Sequence, residues 1–183
     1  MGTIYKNYIA HPRLICLIGK KNDDEVNFMT AAWYTCLSHT FTLYGATIGN
    51  TRHTYEPKIK SQEYSVSFLL IEYILKIHSM GKLTGIIYDK LGLVNSKISS
   101  CKKNTALYLS EAYGVMECKV VNFIKTGGHT MFVSEIVHFH GDHEVYDDNG
   151  VIYTNKAMPI MYIGKNNYIT TEVDSEKHFA MDE

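Results

Sequence analysis

The chain has 183 residues, 45% of them hydrophobic, enough for one sizeable core and short for two independent domains, so residues 1–183 are read as a single domain. Eighteen Lys and Arg against nineteen Asp and Glu leave a net charge of -1, which excludes a global field for attracting nucleic acid or anionic lipid. The longest apolar runs, "LICLIG" and "VSFLLI", fall far short of the roughly 20 residues that a membrane-spanning helix needs, so no membrane association is expected.

Fourteen Tyr with only three Pro describe a β-rich domain with tight turns. Cys16, Cys36, Cys101 and Cys118 lie far apart, with no C-x-x-C pair and no secretory leader ahead of them, and read as reduced thiols of a cytoplasmic protein.

In chain order, the apolar run Leu14 to Ile18 and the charged "KKNDDE" after it predict a buried strand feeding a hairpin. The returning strand is "NFMTAAWYTCLSH", which holds the only tryptophan, Trp33. A further strand follows in "FTLYGATIG". "TRHTYEPKIK" then reads as a helix start, with Thr54 as cap and Pro57 in the first turn. Tyr64, Val66, Phe68 and Leu70 alternate with Ser65, Ser67 and Leu69, the period of a strand with one strongly apolar face. A helix is expected from Ile71, with Gly81 as its stop. The segment "YDKLGLVNSKISSCKKNTALYLSEAYG" has no clean period and is expected to wrap the domain as a short helix plus loop. "VMECKVVNFIK", "TGG" and "HTMFVSEIVHFH" predict a long antiparallel hairpin, and "MPIMYIG", "KNN" and "YITTE" a smaller one. Many strands with few helices and no internal repeat argue for a closed or nearly closed antiparallel barrel.

In "NFMTAAWYTCLSH" neither alternating set of residues is purely apolar or purely polar. Ala31 and Ala32 would let a flat group approach the backbone, and the hydroxyls of Thr30, Thr35 and Ser38 could serve a polar ring edge or a phosphate. An edge strand with a half-buried Trp explains the same residues. Arg52 and Thr54 at a helix start suit a phosphate, although an Arg beside a cap is commonly just solvated surface. His129, directly after Gly127 and Gly128, is placed to project from a hairpin mouth or to be plain polar surface. His138 and His140 share a strand face, with His143, Asp142 and Glu144 beside them, which permits a metal site, while "GDHEVYDDNG" also reads as a solvated loop. There is no G-x-S-x-G, no P-loop, no H-E-x-x-H and no G-x-G-x-x-G, so hydrolase, nucleotide triphosphatase, zinc protease and Rossmann chemistry lose their usual flags.

Taken in order, "HPRLICLIG", "VNFMTAAWYTCLS", "RHT", "YDKLGL", "YGVMECKVV", "GGHTMFVSEIV" and "PIMYIGKNNY" resemble the flavin reductase-like family of FMN-binding split barrels, which includes flavoredoxins and archaeal ferric-reductase-type proteins. The resemblance covers most of the chain. It implies a mainly β fold, an antiparallel Greek-key-type barrel, with FMN bound noncovalently at a homodimer interface. It implies that Asn27, Met29, Thr30, Ala31, Ala32, Trp33, Tyr34, Thr35 and Cys36 line the flavin ring and reach toward the ribityl phosphate. Ile48 and Gly49 would continue that wall, Arg52 and Thr54 would hold the phosphate, Lys90 would lie near the cofactor, and His129 would face the flavin as the catalytic residue. Many relatives carry an Asp-Pro-Pro step soon after the Leu-Ser that ends the second motif, where this chain has "SHTFTLY". The function implied is an oxidoreductase in which NADH or NADPH reduces flavin and electrons pass to a small-molecule or protein acceptor. An FMN-binding electron carrier without nicotinamide activity is the alternative, and a metal-binding module using His138, His140 and His143 is a third.

Overall fold

A computed structural model describes residues 9–22, 25–51, 62–82, 92, 95–173, 175 and 177. After a two-residue β1 (Arg13–Leu14), the predicted first hairpin forms as β2 (Cys16–Asn22) and β3 (Glu25–Ala31). The returning segment is not one strand. It stops at Ala31 and resumes as β4 (Tyr34–Ser38), followed by β5 (Leu43–Gly49) and β6 (Glu63–Phe68). The predicted helix begins as a single 3-10 turn at Ile71–Tyr73 and becomes α1 (Ile74–Lys82), running one residue past Gly81. Two short strands, β7 (Ile98–Ser100) and β8 (Leu107–Leu109), pair within the segment expected to be helix plus loop. The long hairpin is β9 (Gly114–Thr126) and β10 (His129–Gly141), and the small one is β11 (Met161–Gly164) and β12 (Asn167–Ile169).

The main sheet has seven antiparallel strands in the order β3-β2-β6-β9-β10-β5-β4, accompanied by a three-stranded sheet, β1-β11-β12, and the β7-β8 pair. Of the closed or nearly closed barrel expected from the sequence, the structure has the second form: the main sheet is not closed, and β3 ends it on one side and β4 on the other. Yet these two edges are consecutive in the chain, with only Ala32 and Trp33 between them. Three Cα steps span at most about 11 Å. The sheet therefore curls until its two ends nearly meet, and the chain itself bridges the seam. This is the split in the barrel, and it falls inside the segment that the sequence presents as one strand.

Inside the curl, side chains from β2, β3, β5, β6, β9 and β10 converge in one cluster that includes Cys16, Ile18, Ala31, Tyr44, Val66, Val120 and Phe132. A second cluster on the outer side of β2 and β3 joins Leu17 and Phe28 to Ile77 and Met80 of α1, Leu109 of β8 and Ile160. Both faces of β2 are thus buried, which explains why "LICLIG" is continuously apolar rather than alternating. On β6, Val66 enters the inner cluster while Ser65 and Ser67 face outward and are fully buried, Ser65 donating to the Leu107 carbonyl at 2.7 Å. Small residues there let β8 come close. At Gly19 an added Cβ would stand 2.2 Å from the Leu107 carbonyl oxygen and 2.6 Å from Phe28.

Candidate functional site

The seam opens into a cleft of about 680 Å³ lined by Arg13, Leu14, Ala32, Trp33, Tyr34, Thr35, Thr47 and Met131. Four of these, Ala32 to Thr35, come from the crossing between the sheet edges and the start of β4. Trp33 is held by its backbone, whose carbonyl accepts the Thr47 amide at 2.8 Å. Its ring lies 4.8 Å from that of His129, with a 32° angle between the planes, and remains 37% exposed. Tyr34 turns inward instead. It stacks on Tyr44, meets Phe68 edge-on and donates its hydroxyl to the Leu14 carbonyl at 2.7 Å, stitching β4 to β1 across the seam. Burial first, and the nearby Cys16 thiol second, push its phenol well above the usual tyrosine range, so it stays neutral and hydrogen-bonded.

The wall beyond Trp33 comes from β5. Tyr44, Ala46 and Ile48 point into the inner cluster, so Gly45, Thr47 and Gly49 form the opposite face. On the neighbouring β10 these pair with Val133, Met131 and His129 in register. Leu37 and Met131 cover Gly45 on this face, where a Cβ would stand 3.1 Å from Leu37 Cδ1, and Thr47 is the residue that reaches the cleft. The turn that carries His129 is tied to the end of β5 by Asn50, whose amide nitrogen Nδ2 donates to the Gly127 carbonyl at 3.1 Å and whose Oδ1 accepts the Thr130 hydroxyl at 3.0 Å. Gly127, at φ 65°, takes the left-handed conformation that the turn requires.

The structure brings together Ala32, Trp33, Tyr34, Thr35 and His129, with Gly49 opposite His129 in the ladder. It places the other predicted residues elsewhere. Asn27 is buried on β3, Met29 packs against the inner cluster and Ala31 belongs to it. Thr30 faces the helix and donates to the Ile77 carbonyl at 2.6 Å. Ile48 is a core side chain, and the adjacent Thr47 is the β5 residue that lines the cleft. Cys36 is exposed on β4. Arg52, Thr54 and Lys90 lie outside the described residues. Sequence reasoning passed over Arg13, Leu14, Thr47, Met131 and Asn50. The alternation of Gly45, Thr47 and Gly49 with Tyr44, Ala46 and Ile48 was the available signal for Thr47.

A planar, largely apolar ring with polar edges suits this cleft. Its volume lies within the roughly 300–1,000 Å³ common for cofactor pockets. Ala32 and Met131 offer apolar contact, Trp33 an aromatic face, and Thr35 and Thr47 hydroxyls, while Arg13 is the one formal charge among the described lining residues. The donor set fits a flavin.

At the other end of the long hairpin, His138 stands opposite Glu117, and His140 is near both. His143 lies in the turn that follows, exposed on the wall of a second cleft, and is not part of this group.

Comparison with known proteins identifies the fold and the family. The chain is 33% identical over 120 residues to an uncharacterised protein of Archaeoglobus fulgidus, a span covering 65% of this chain and 68% of that one. It superposes with a TM-score of 0.84 on an FMN-binding protein from Thermus thermophilus bearing 1-cyclohex-2-enone, at 24% identity over 99% of this chain and 97% of that one. The flavoredoxin of Methanosarcina acetivorans gives a TM-score of 0.83 at 22% identity, covering 97% and 94%. The model of the flavin reductase like domain matches residues 9–165, and the chain belongs to that family.

Proposed function

We propose that this protein binds FMN in the cleft at the barrel seam and is an oxidoreductase that uses NADH or NADPH to reduce flavin, passing the electrons to a small-molecule or protein acceptor. The observation that carries this reading is the Trp33 ring, paired with His129, on the wall of a cleft that also carries Ala32, Thr35 and Thr47, in a chain of the flavin reductase like domain family. When bound, FMN supplies the hydride and electron chemistry, so the protein has only to hold the ring, donate hydrogen bonds and control access.

The chain's own residues are suited to those tasks. Trp33 covers one side of the cleft, and its backbone bond to Thr47 fixes it there. The hydroxyls of Thr35 and Thr47 offer hydrogen bonds to polar ring edges, and the Arg13 guanidinium supplies positive charge for an anionic tail or a reduced ring. His129, held by the Asn50 bonds beneath its turn, orients nicotinamide or stabilises negative charge. Leu37 on β4 and Phe41 in the turn after it are exposed apolar side chains, consistent with a homodimer that buries them.

Anaerobic mixing with NADH and NADPH tests the reading. Bleaching of the flavin band within seconds is the expected result. The resemblance to a flavoredoxin supports a second reading, an electron carrier reduced only by a partner protein; a band that persists with both nucleotides but bleaches with dithionite would favour it.

A further inference from the structure

Glu117 on β9 is fully buried and plays no part in the seam cleft. Its two carboxylate oxygens accept the backbone amides of Lys102 and Lys103, each at 2.7 Å, which fixes their direction. Directly across the ladder stands His138, and His140, two residues on, shares its face of the strand. One ligating atom from each of Glu117, His138 and His140 lies within 4.8 Å of the others. Moreover, His138 Nε2 and His140 Nδ1 are buried atoms with no hydrogen-bond partner. A buried polar atom left without a partner is destabilising, and a ligand taking both nitrogens would remove that cost.

We propose that Glu117, His138 and His140 bind one divalent transition-metal ion of the zinc class. Two imidazoles and a carboxylate are the donor set such ions take, whereas calcium and magnesium call for oxygen ligands. Three ligands at about 2.1 Å from a tetrahedral ion stand roughly 3.4 Å apart, so small rotations of the two imidazoles close the present spacing. The amides of Lys102 and Lys103 serve as the outer partners that orient a ligating carboxylate. The site borders a cleft of about 790 Å³ with Asp142 and His143 on its wall, which leaves room for water or a further ligand. The Lys102 ammonium on the same wall opposes a cation, but it is exposed and screened by solvent. Ring packing alone, His140 edge-on to Tyr108 at 5.1 Å, does not account for the orphaned nitrogens.

The test uses the untagged full-length protein, stripped with a chelator and titrated with Zn²⁺ by calorimetry and with Co²⁺ by visible absorption. One equivalent of each ion per chain is expected, with Co²⁺ bands of a four- or five-coordinate site and a thermal midpoint raised by Zn²⁺. His138→Ala and His140→Ala should each weaken Zn²⁺ binding by about 100-fold or more, beyond the range typical of losing an outer-shell partner. Flavin content should be the same in both variants as in the parent, which separates this site from the seam cleft. Substoichiometric Zn²⁺ in the parent, or undiminished binding in the two histidine variants, overturns the proposal. The histidine variants decide it even if Glu117→Gln, which alters a buried anchor for two backbone amides, does not fold.

Discussion

Thr30→Val separates the structural role of the segment between the hairpin and the seam from a role in ligand binding. The change keeps the shape of the side chain and removes its hydroxyl. That hydroxyl donates to the Ile77 carbonyl of α1 at 2.6 Å, and the helix presses so close that a Cβ added at Gly81 would sit 3.1 Å from Thr30 Cβ. The added methyl of Val therefore occupies the hydroxyl's space, and the loss is one partly buried hydrogen bond, about 1 kcal/mol. For a chain of this size that is a fall of about 2–4 °C in thermal midpoint. Because Thr30 faces the helix rather than the cleft, the FMN dissociation constant, read by flavin fluorescence quenching, should stay within about twofold of the parent. A loss of tenfold or more in affinity, about 1.4 kcal/mol, with an unchanged midpoint would refute the placement.

Other expectations follow from the same geometry. Gly19→Ala sets a methyl 2.2 Å from a backbone carbonyl oxygen that cannot rotate away, so urea unfolding should show a loss of about 3 kcal/mol or more, at the upper end for overpacking. His129→Ala should slow flavin reduction by NADH or NADPH in stopped-flow mixing far more than it weakens FMN binding; an unchanged reduction rate would remove His129 from the chemistry. Ellman's reagent at pH 8 should find one fast thiol per folded chain, the exposed Cys36, because burial pushes Cys101 and Cys118 up to about 12 and Cys16 higher still. The same shifts set the alkaline limit. A thiol whose folded pKa is raised from 9.0 contributes stability that is intact below pH 9 and is lost as pH climbs toward 12, so the thermal midpoint should drop across that window.

Strands in which apolar and polar residues alternate were legible: β6 and both strands of the long hairpin fall where the pattern and the Gly127-Gly128 turn put them. What the sequence hid was the seam. Residues 27–31 lack a clean period because β3 has a core on each face, Met29 and Ala31 on one side and Phe28 on the other, and no ligand is needed to explain that. The crossing at Ala32 and Trp33 between the two ends of one sheet leaves no local mark, since the proximity of those ends is a property of the curl. The same holds for the third member of the histidine cluster. Glu117 is twenty-one positions from His138 and becomes its neighbour only through hairpin register, whereas His143, adjacent in sequence, is carried off by the turn. Arg13 on β1 and Met131 on β10, far apart in the chain, meet at the seam cleft for a comparable reason.

The most direct test of the central claim is the visible absorption spectrum of the purified protein. A yellow protein with the visible absorption bands of an oxidised flavin is expected, as the flavin chemistry assigned to the seam cleft requires. Heat should release the chromophore as FMN, and Trp33→Ala should lose it by dialysis while remaining folded. A colourless protein that does not take up added FMN, or one whose Trp33→Ala variant retains flavin as tightly as the parent, would contradict it.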